Sequence, residues 1–425
     1  MHMLKKITVQ LLVGLAFFCL ASSSFAVAYW NCSSPTGTAS GTWNATGSTW
    51  TTQGSYESDS PLGGFTDPSP VSWNSGLQGS DAAAFSLGTE INGQPGPYTI
   101  TVDNSAGTVE AGDLLVYSGP MTLNGGPLDS SYLVNGNPSA ASDAGMVWTI
   151  HTAQVAYFNL ILTDSGSLPY STASINRSVF ANKQDLGTLY LGATNAFSGD
   201  LAIKSGILGI TVDQSLPSAS SVILLNGSDI GGASDQMQDT PPTFNTGGHN
   251  QTLSQLVLAG PNSAIPRTID FQNGQGTLWF SGDSSTLAWQ STPSVVFGDS
   301  APGPITLVIT NYQLGTTKLR FGTSSSGLTP AQLAQIAFAD YTNAPGKIDA
   351  NGYVTPILPA PVATIKATYT ITWNAIAGTH YQVQDATAVG GPYSNVAVVV
   401  AASSVGVYTD VTPGASQRYY RVIQQ

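Results

Sequence analysis

The chain has 425 residues, only 8% of them charged, and 24 acids outnumber 12 bases. No Lys or Arg occurs between Lys6 and Arg177, so the chain lacks the clustered cations that displace counterions from nucleic acid or hold an acidic lipid surface. A hydrophobic share of 41%, with eight Trp and seventeen Tyr, excludes a disordered polar chain. The abundance of Gly and Pro, and acids that are nearly all Asp, favour turns and strands over helix.

In chain order, residues 1–28 fit a secretory signal. Lys5 and Lys6 precede an apolar run over 7–20, too short for the roughly twenty residues of a membrane-spanning helix. Small residues then offer cleavage before Val27 or Tyr29; an uncleaved N-terminal anchor is the alternative. Removal of Cys19 with the signal leaves Cys32 as the mature chain's one cysteine, so no internal disulfide or Cys-based metal site is expected. Ten bases then stand against 24 acids, a balance of −14, and no later run has membrane length.

Residues 30–85 combine turn residues with Trp30, Trp43, Trp50 and Trp73. Alternation predicts strands over 98–103, 114–117, 121–123, 147–151, 156–162, 222–225, 252–259, 268–271, 277–281 and 305–310. The densest pattern lies in 183–212. Leu189 and Leu191, then Leu201 and Ile203, then Leu208, Ile210 and Val212 alternate in three short runs, cut by turns at 197–199 and 205–206. One helix is predicted over 331–338, with Thr329 as cap, Pro330 at the first position and Gln332 reaching back. Pro359 and Pro361 mark a linker, beyond which 369–373, 381–384, 396–400, 406–409 and 418–423 read as longer strands of a small sandwich.

Two resemblances follow from these residues. Lys183, Gly187-Thr188-Leu189-Tyr190-Leu191, Asn195-Ala196-Phe197-Ser198-Gly199 and Gly206-Ile207-Leu208 resemble the autotransporter-associated β-strand repeat. The Trp-rich start closing at 80–85, and the stretch 321–336 followed by Gly352-Tyr353-Val354, are similar to the flanks of large secreted repeat proteins of Gram-negative bacteria. This resemblance implies an all-β fold: a β-solenoid over 29–358. Residues 359–425 resemble a fibronectin type III-like module, carried by Trp373, Tyr381 and Tyr419-Tyr420-Arg421-Val422, which implies a C-terminal β-sandwich. An autotransporter would be expected to end in a membrane barrel; residues 421–425 do not read as one, so a passenger-like chain without its transporter is expected.

Candidate chemistry is sparse. His2, His151, His249 and His380 have no second His or Cys at metal-ligand spacing. Gly282-Asp283-Ser284 and Gly298-Asp299-Ser300 match the nucleophile turn of Gly-Asp-Ser esterases. Such an enzyme needs an Asp-x-x-His, however, and Ala377 stands three residues before His380; ordinary turns are expected. Glu57 and Asp59 would share a strand face but sit in a Ser-rich loop, where solvation is expected. The N-terminal tryptophans could form a sugar platform or cap the open end of the stack; capping is expected. No residue is therefore assigned a catalytic, cofactor-binding or metal role. The expectation is an exported, non-catalytic structural or adhesive protein of the cell surface or extracellular space, whose partner is a polysaccharide or a protein. The alternative is a carbohydrate-binding or polysaccharide-degrading exoprotein.

Overall fold

A computed structural model describes residues 27–30, 40–46, 50–51, 82–85, 97–111, 113–117, 119–129, 146–164, 171–172, 177–225, 241–260, 262–291, 303–361, 364–365, 370–410 and 418–425. The signal segment up to residue 26, Trp73, Glu57, Asp59 and Gly298-Asp299-Ser300 lie outside them. The chain divides into two compact units, one ending at Pro356 and the other starting at Ile357. No helix among the described residues is long and apolar enough to cross a membrane.

The first unit is a stack of coils, as the repeat pattern predicted. Strands of successive coils lie beside each other in parallel. One sheet runs through Val27–Trp30, Ala82–Phe85, Leu114–Val116, Met146–Ile150, Arg177–Gln184, Asp200–Ile203, Val222–Leu225 and Leu256–Ala259. A second runs from Gly41–Asn44 and Tyr98–Asp103 to Leu307–Thr310 and Ile336–Phe338, parallel throughout. The third side is built in two pieces. Val109–Glu110, Leu128–Asp129 and Leu162–Thr163 form one; Gln251–Leu253, Thr277–Phe280 and Lys318–Phe321 form the other. Period-two alternation sends every second side chain inward, and parallel pairing stacks like positions. Leu189, Leu208, Phe244, Ile269, Ile309 and Phe338 thus form one continuous inward row, each fully buried.

The densest predicted pattern folds as expected, into Thr188–Leu191, Asp200–Ile203 and Ile207–Ile210. Its first and third strands belong to the same sheet, one coil apart, with Thr188 beside Ile207. Phe197 at the intervening turn stacks on Phe180 at 3.9 Å. Lys183 differs from its expected place. It is the second-last residue of the strand Arg177–Gln184 and occupies the inward row between Trp148 and Ile203. The predicted run 252–259 is two strands, Gln251–Leu253 and Leu256–Ala259, on different sides of one coil.

Both ends of the stack are closed. At one end Trp30, Trp43 and Trp50 cluster around Phe85, Trp43 and Trp50 edge-on and Trp30 tilted to it, with ring centroids in the cluster 5.0–6.4 Å apart, and Trp50–Thr51 runs antiparallel to Val27–Trp30. At the other, the helix is Pro330–Gln335, shorter than 331–338 because Ile336–Phe338 continues the second sheet as a strand. Its capping box forms as predicted: Gln332 N donates to Thr329 Oγ1 at 3.2 Å and Thr329 N to Gln332 Oε1 at 2.8 Å. Gln332 Nε2 also donates to Ser284 O and Leu287 O, and Gln335 Nε2 to Trp289 O and Ile305 O. These amides tie the helix to four backbone carbonyls, of which Ser284 O and Trp289 O also accept from Leu287 N and Ile305 N.

The second unit has two antiparallel sheets of three strands. Thr364–Ile365, Thr370–Asn374 and Val405–Thr409 form one, and Ser394–Val400, His380–Ala386 and Tyr419–Gln424 the other. Both contribute to one core of Ile371, Trp373, Tyr381, Val383, Ala401 and Val422. Gly406 is required there: a Cβ on it would lie 2.2 Å from the Trp373 ring.

Candidate functional surfaces

Of the described residues weighed for chemistry, Asp283 and Ser284 serve the backbone. Ser284 is buried, and its Oγ accepts from Leu256 N at 3.4 Å. Asp283 caps the turn, accepting from Ser285 N at 2.9 Å. His151 Nδ1 lies 3.0 Å from Asp185 Oδ2 and His249 Nδ1 3.2 Å from Asp213 Oδ1, each pair joining neighbouring coils on the surface. The Asn250 side chain, then its backbone amide, hold Asp213 below the usual carboxylate range, with His249 adding to them. Trp30, Trp43 and Trp50 lie in the core and present no platform.

Three polar side chains act from inside the corners. Lys183 Nζ donates to Gln184 O at 3.0 Å, Asp185 O at 2.5 Å and Ser205 O at 3.2 Å. Three carbonyls thus take the three donors of an ammonium, yet burial still pushes its pKa down to about 7. The corner leaves room for no Cβ at Gly206, whose φ is +66° and whose Cβ would lie 2.6 Å from that nitrogen. Arg267, fully buried, is held among the described residues by carbonyls alone: Leu224 O, Ala259 O, Asn262 O and Ile265 O. Asn195 repeats the device with an amide, accepting from Leu162 N at 2.8 Å and donating to Ser215 O at 2.9 Å across adjacent coils.

The outer face of the third side, near the closed C-terminal end of the stack, gathers a different set. Parallel and then antiparallel pairing aligns Thr252, Trp279, Arg320 and Tyr353 in one outward row. The Arg320 guanidinium lies 4.5 Å from the Trp279 ring centroid and 5.3 Å from that of Tyr353. Its Nε donates to Asn351 O at 2.9 Å, and Trp279 Nε1 donates to Gly322 O at 3.0 Å. Lys318, two residues before Arg320, shares this face. Continuing the register sets it opposite Thr355, whose other neighbour is Lys347. Both lysines are exposed. Sequence reading missed this set. The alternation Lys318-x-Arg320 was visible, but not that Trp279 and Tyr353 would flank the guanidinium.

No family model matches the chain, and no solved structure matches it. A stretch of 129 residues, 30% of this chain, is 30% identical to the adhesin BmaC autotransporter of Brucella suis biovar 1 (strain 1330). That stretch spans 3% of the adhesin's length. The chain is therefore similar, over part of its length, to a segment of an autotransporter adhesin.

Proposed function

We propose that the chain is an exported, non-catalytic adhesive protein of the cell surface or extracellular space, related to autotransporter passengers. The similarity to an autotransporter adhesin carries this reading. The stack supports it, because repeated coils satisfy their backbone and bury a continuous row while leaving whole faces for contact. The second unit is read as a fibronectin type III-like module, supported by its two three-stranded sheets and the Trp373–Tyr381 packing at 5.7 Å. Export would remove the signal before Val27 rather than Tyr29, since Val27 and Ala28 pair with Ala82 and Ala83. The carbohydrate-binding alternative draws on the outward row of Trp279, Arg320 and Tyr353.

The test is retention of beads coated with the purified full chain on bacterial and host-cell layers, against beads coated with an inert protein. Retention above the control is expected; equal loss of both bead types contradicts adhesion. Incubation of the same protein with plant and bacterial polysaccharides checks the non-catalytic claim: release of reducing ends or unsaturated products would overturn it.

A further inference from the structure

We infer that the outer face carrying Trp279, Arg320, Tyr353, Lys318 and Lys347 is a binding site for a carboxylate-bearing polysaccharide, an inference that rests on the adhesive reading and names its partner.

The distribution of cations points there. In the first unit, six cations have described side chains. Lys183, Lys204 and Arg267 are buried. The other three, Lys318, Arg320 and Lys347, share this one face. Among the described residues, none of these three has a carboxylate within ion-pair distance. Asp349, two residues after Lys347 in the chain, turns its Oδ1 to the backbone N–H groups of Asn351 and Tyr353. In a chain of net charge −12, such a face attracts a polyanion that the remaining surface repels.

Arg320 is also held ready. Its Nε is anchored on Asn351 O and its guanidinium lies against two rings. Among the described residues its terminal nitrogens have no protein acceptor, so the fork that pairs bidentately with a carboxylate stays available. Fixing the guanidinium in advance lowers the ordering cost of binding. Trp279 and Tyr353 stand on the two strands that flank Lys318–Phe321, about 10 Å apart at two strand spacings of ~4.8 Å, and their outward edges offer apolar contact to sugar rings.

A polysaccharide fits better than an acidic peptide. Peptides are recognised by pairing along a sheet edge or by apolar grooves and pockets that receive side chains. Here the donors lie on a sheet face, Lys318 and Arg320 on one strand and Lys347 on another, and Trp279, Arg320 and Tyr353 fill one row across three strands.

The experiment is titration of the intact chain with polygalacturonate, its fully methyl-esterified form, neutral dextran and polyglutamate, at low and at raised salt. Polygalacturonate should bind, weaken with salt, and exceed the other three. Arg320→Gln should weaken it about ten- to hundredfold. Arg320→Lys should recover little, because the fork is lost while the charge stays, and Lys318→Gln should cost less than either. Wild-type protein controls the test without any variant: equal binding of the esterified polymer, or none of polygalacturonate, overturns the site. Tighter binding of polyglutamate overturns the choice of polysaccharide. If coated beads still adhere to cells while polygalacturonate does not bind, this inference fails and the adhesive reading stands. If beads do not adhere either, both fail.

Discussion

The two units solve the problem of apolar surface differently. Among described side chains of the first unit, Ile161 is the one large hydrophobic residue that is exposed. The much smaller second unit exposes Ile357, Val389, Val396, Val398, Val400, Val405, Val407 and Ile423. A stack adds core with every coil, so its inward rows run unbroken and its outward rows can be Thr, Tyr, Asn and charge. A sandwich of short strands has little interior for its surface. Ser394–Val400 and Val405–Thr409 alternate with Val on the outward positions as well. Stability in the first unit should therefore be distributed and local, and in the second concentrated in a few side chains.

The largest expected effect breaks the concentrated unit. Trp373→Ala should cost about 3–5 kcal/mol, because the indole fills a six-residue core. In the full chain, hydrogen-exchange protection should vanish over 370–424 and persist over 188–338. Retained protection over 370–424 would show that the core does not depend on this ring.

A second change probes the buried corner. Lys183 has a folded pKa of about 7 against an ordinary 10.5. Between those values the unfolded chain holds the proton that the folded chain has lost, so stability should rise with pH across that window. The slope can reach about 1.4 kcal/mol per pH unit, and below about pH 7 both states are protonated and it disappears. Lys183→Met should remove this rise, measured as the difference from wild type in denaturant midpoints between pH 7 and 10.5. Parallel curves would mean that the ammonium stays protonated inside the corner.

A smaller change tests the closed end. Thr329→Ala removes the acceptor for Gln332 N and should cost about 1 kcal/mol. The loss of protection should centre on Ile336–Phe338 and leave the second unit untouched. A matching change in the second unit would break the separation between them.

Much of the stack was legible because its signals are local. Period two with regular turns marked Leu189 through Ile210, and Thr329-Pro330-Ala331-Gln332 marked the helix cap. What was hidden depends on register between coils. Lys183 reads equally well as opening one strand or closing another; only pairing with Trp148 and Ile203 sets it in the inward row. Ser254-Gln255 turns a corner without Gly or Pro, so 252–259 looks like one strand. The row Trp279, Arg320, Tyr353 joins residues far apart in sequence, through coils of unequal length. Thr188 pairs with Ile207 after 19 residues, whereas Trp279 pairs with Arg320 after 41. No fixed repeat length would have aligned them.

The central claim, a stack whose coils support their neighbours and a second unit with a core of its own, is tested most directly by residue-resolved hydrogen exchange of the full chain with Leu208→Ala. Leu208 is fully buried between Leu189 and Phe244, and its truncation should cost about 2–5 kcal/mol. Protection should fall most in Thr188–Leu191, Ile207–Ile210 and Thr243–Asn245, fade with distance along the stack, and stay unchanged over 370–424. A uniform loss across both units, or a loss confined to Ile207–Ile210 with no change in either neighbouring coil, would contradict it.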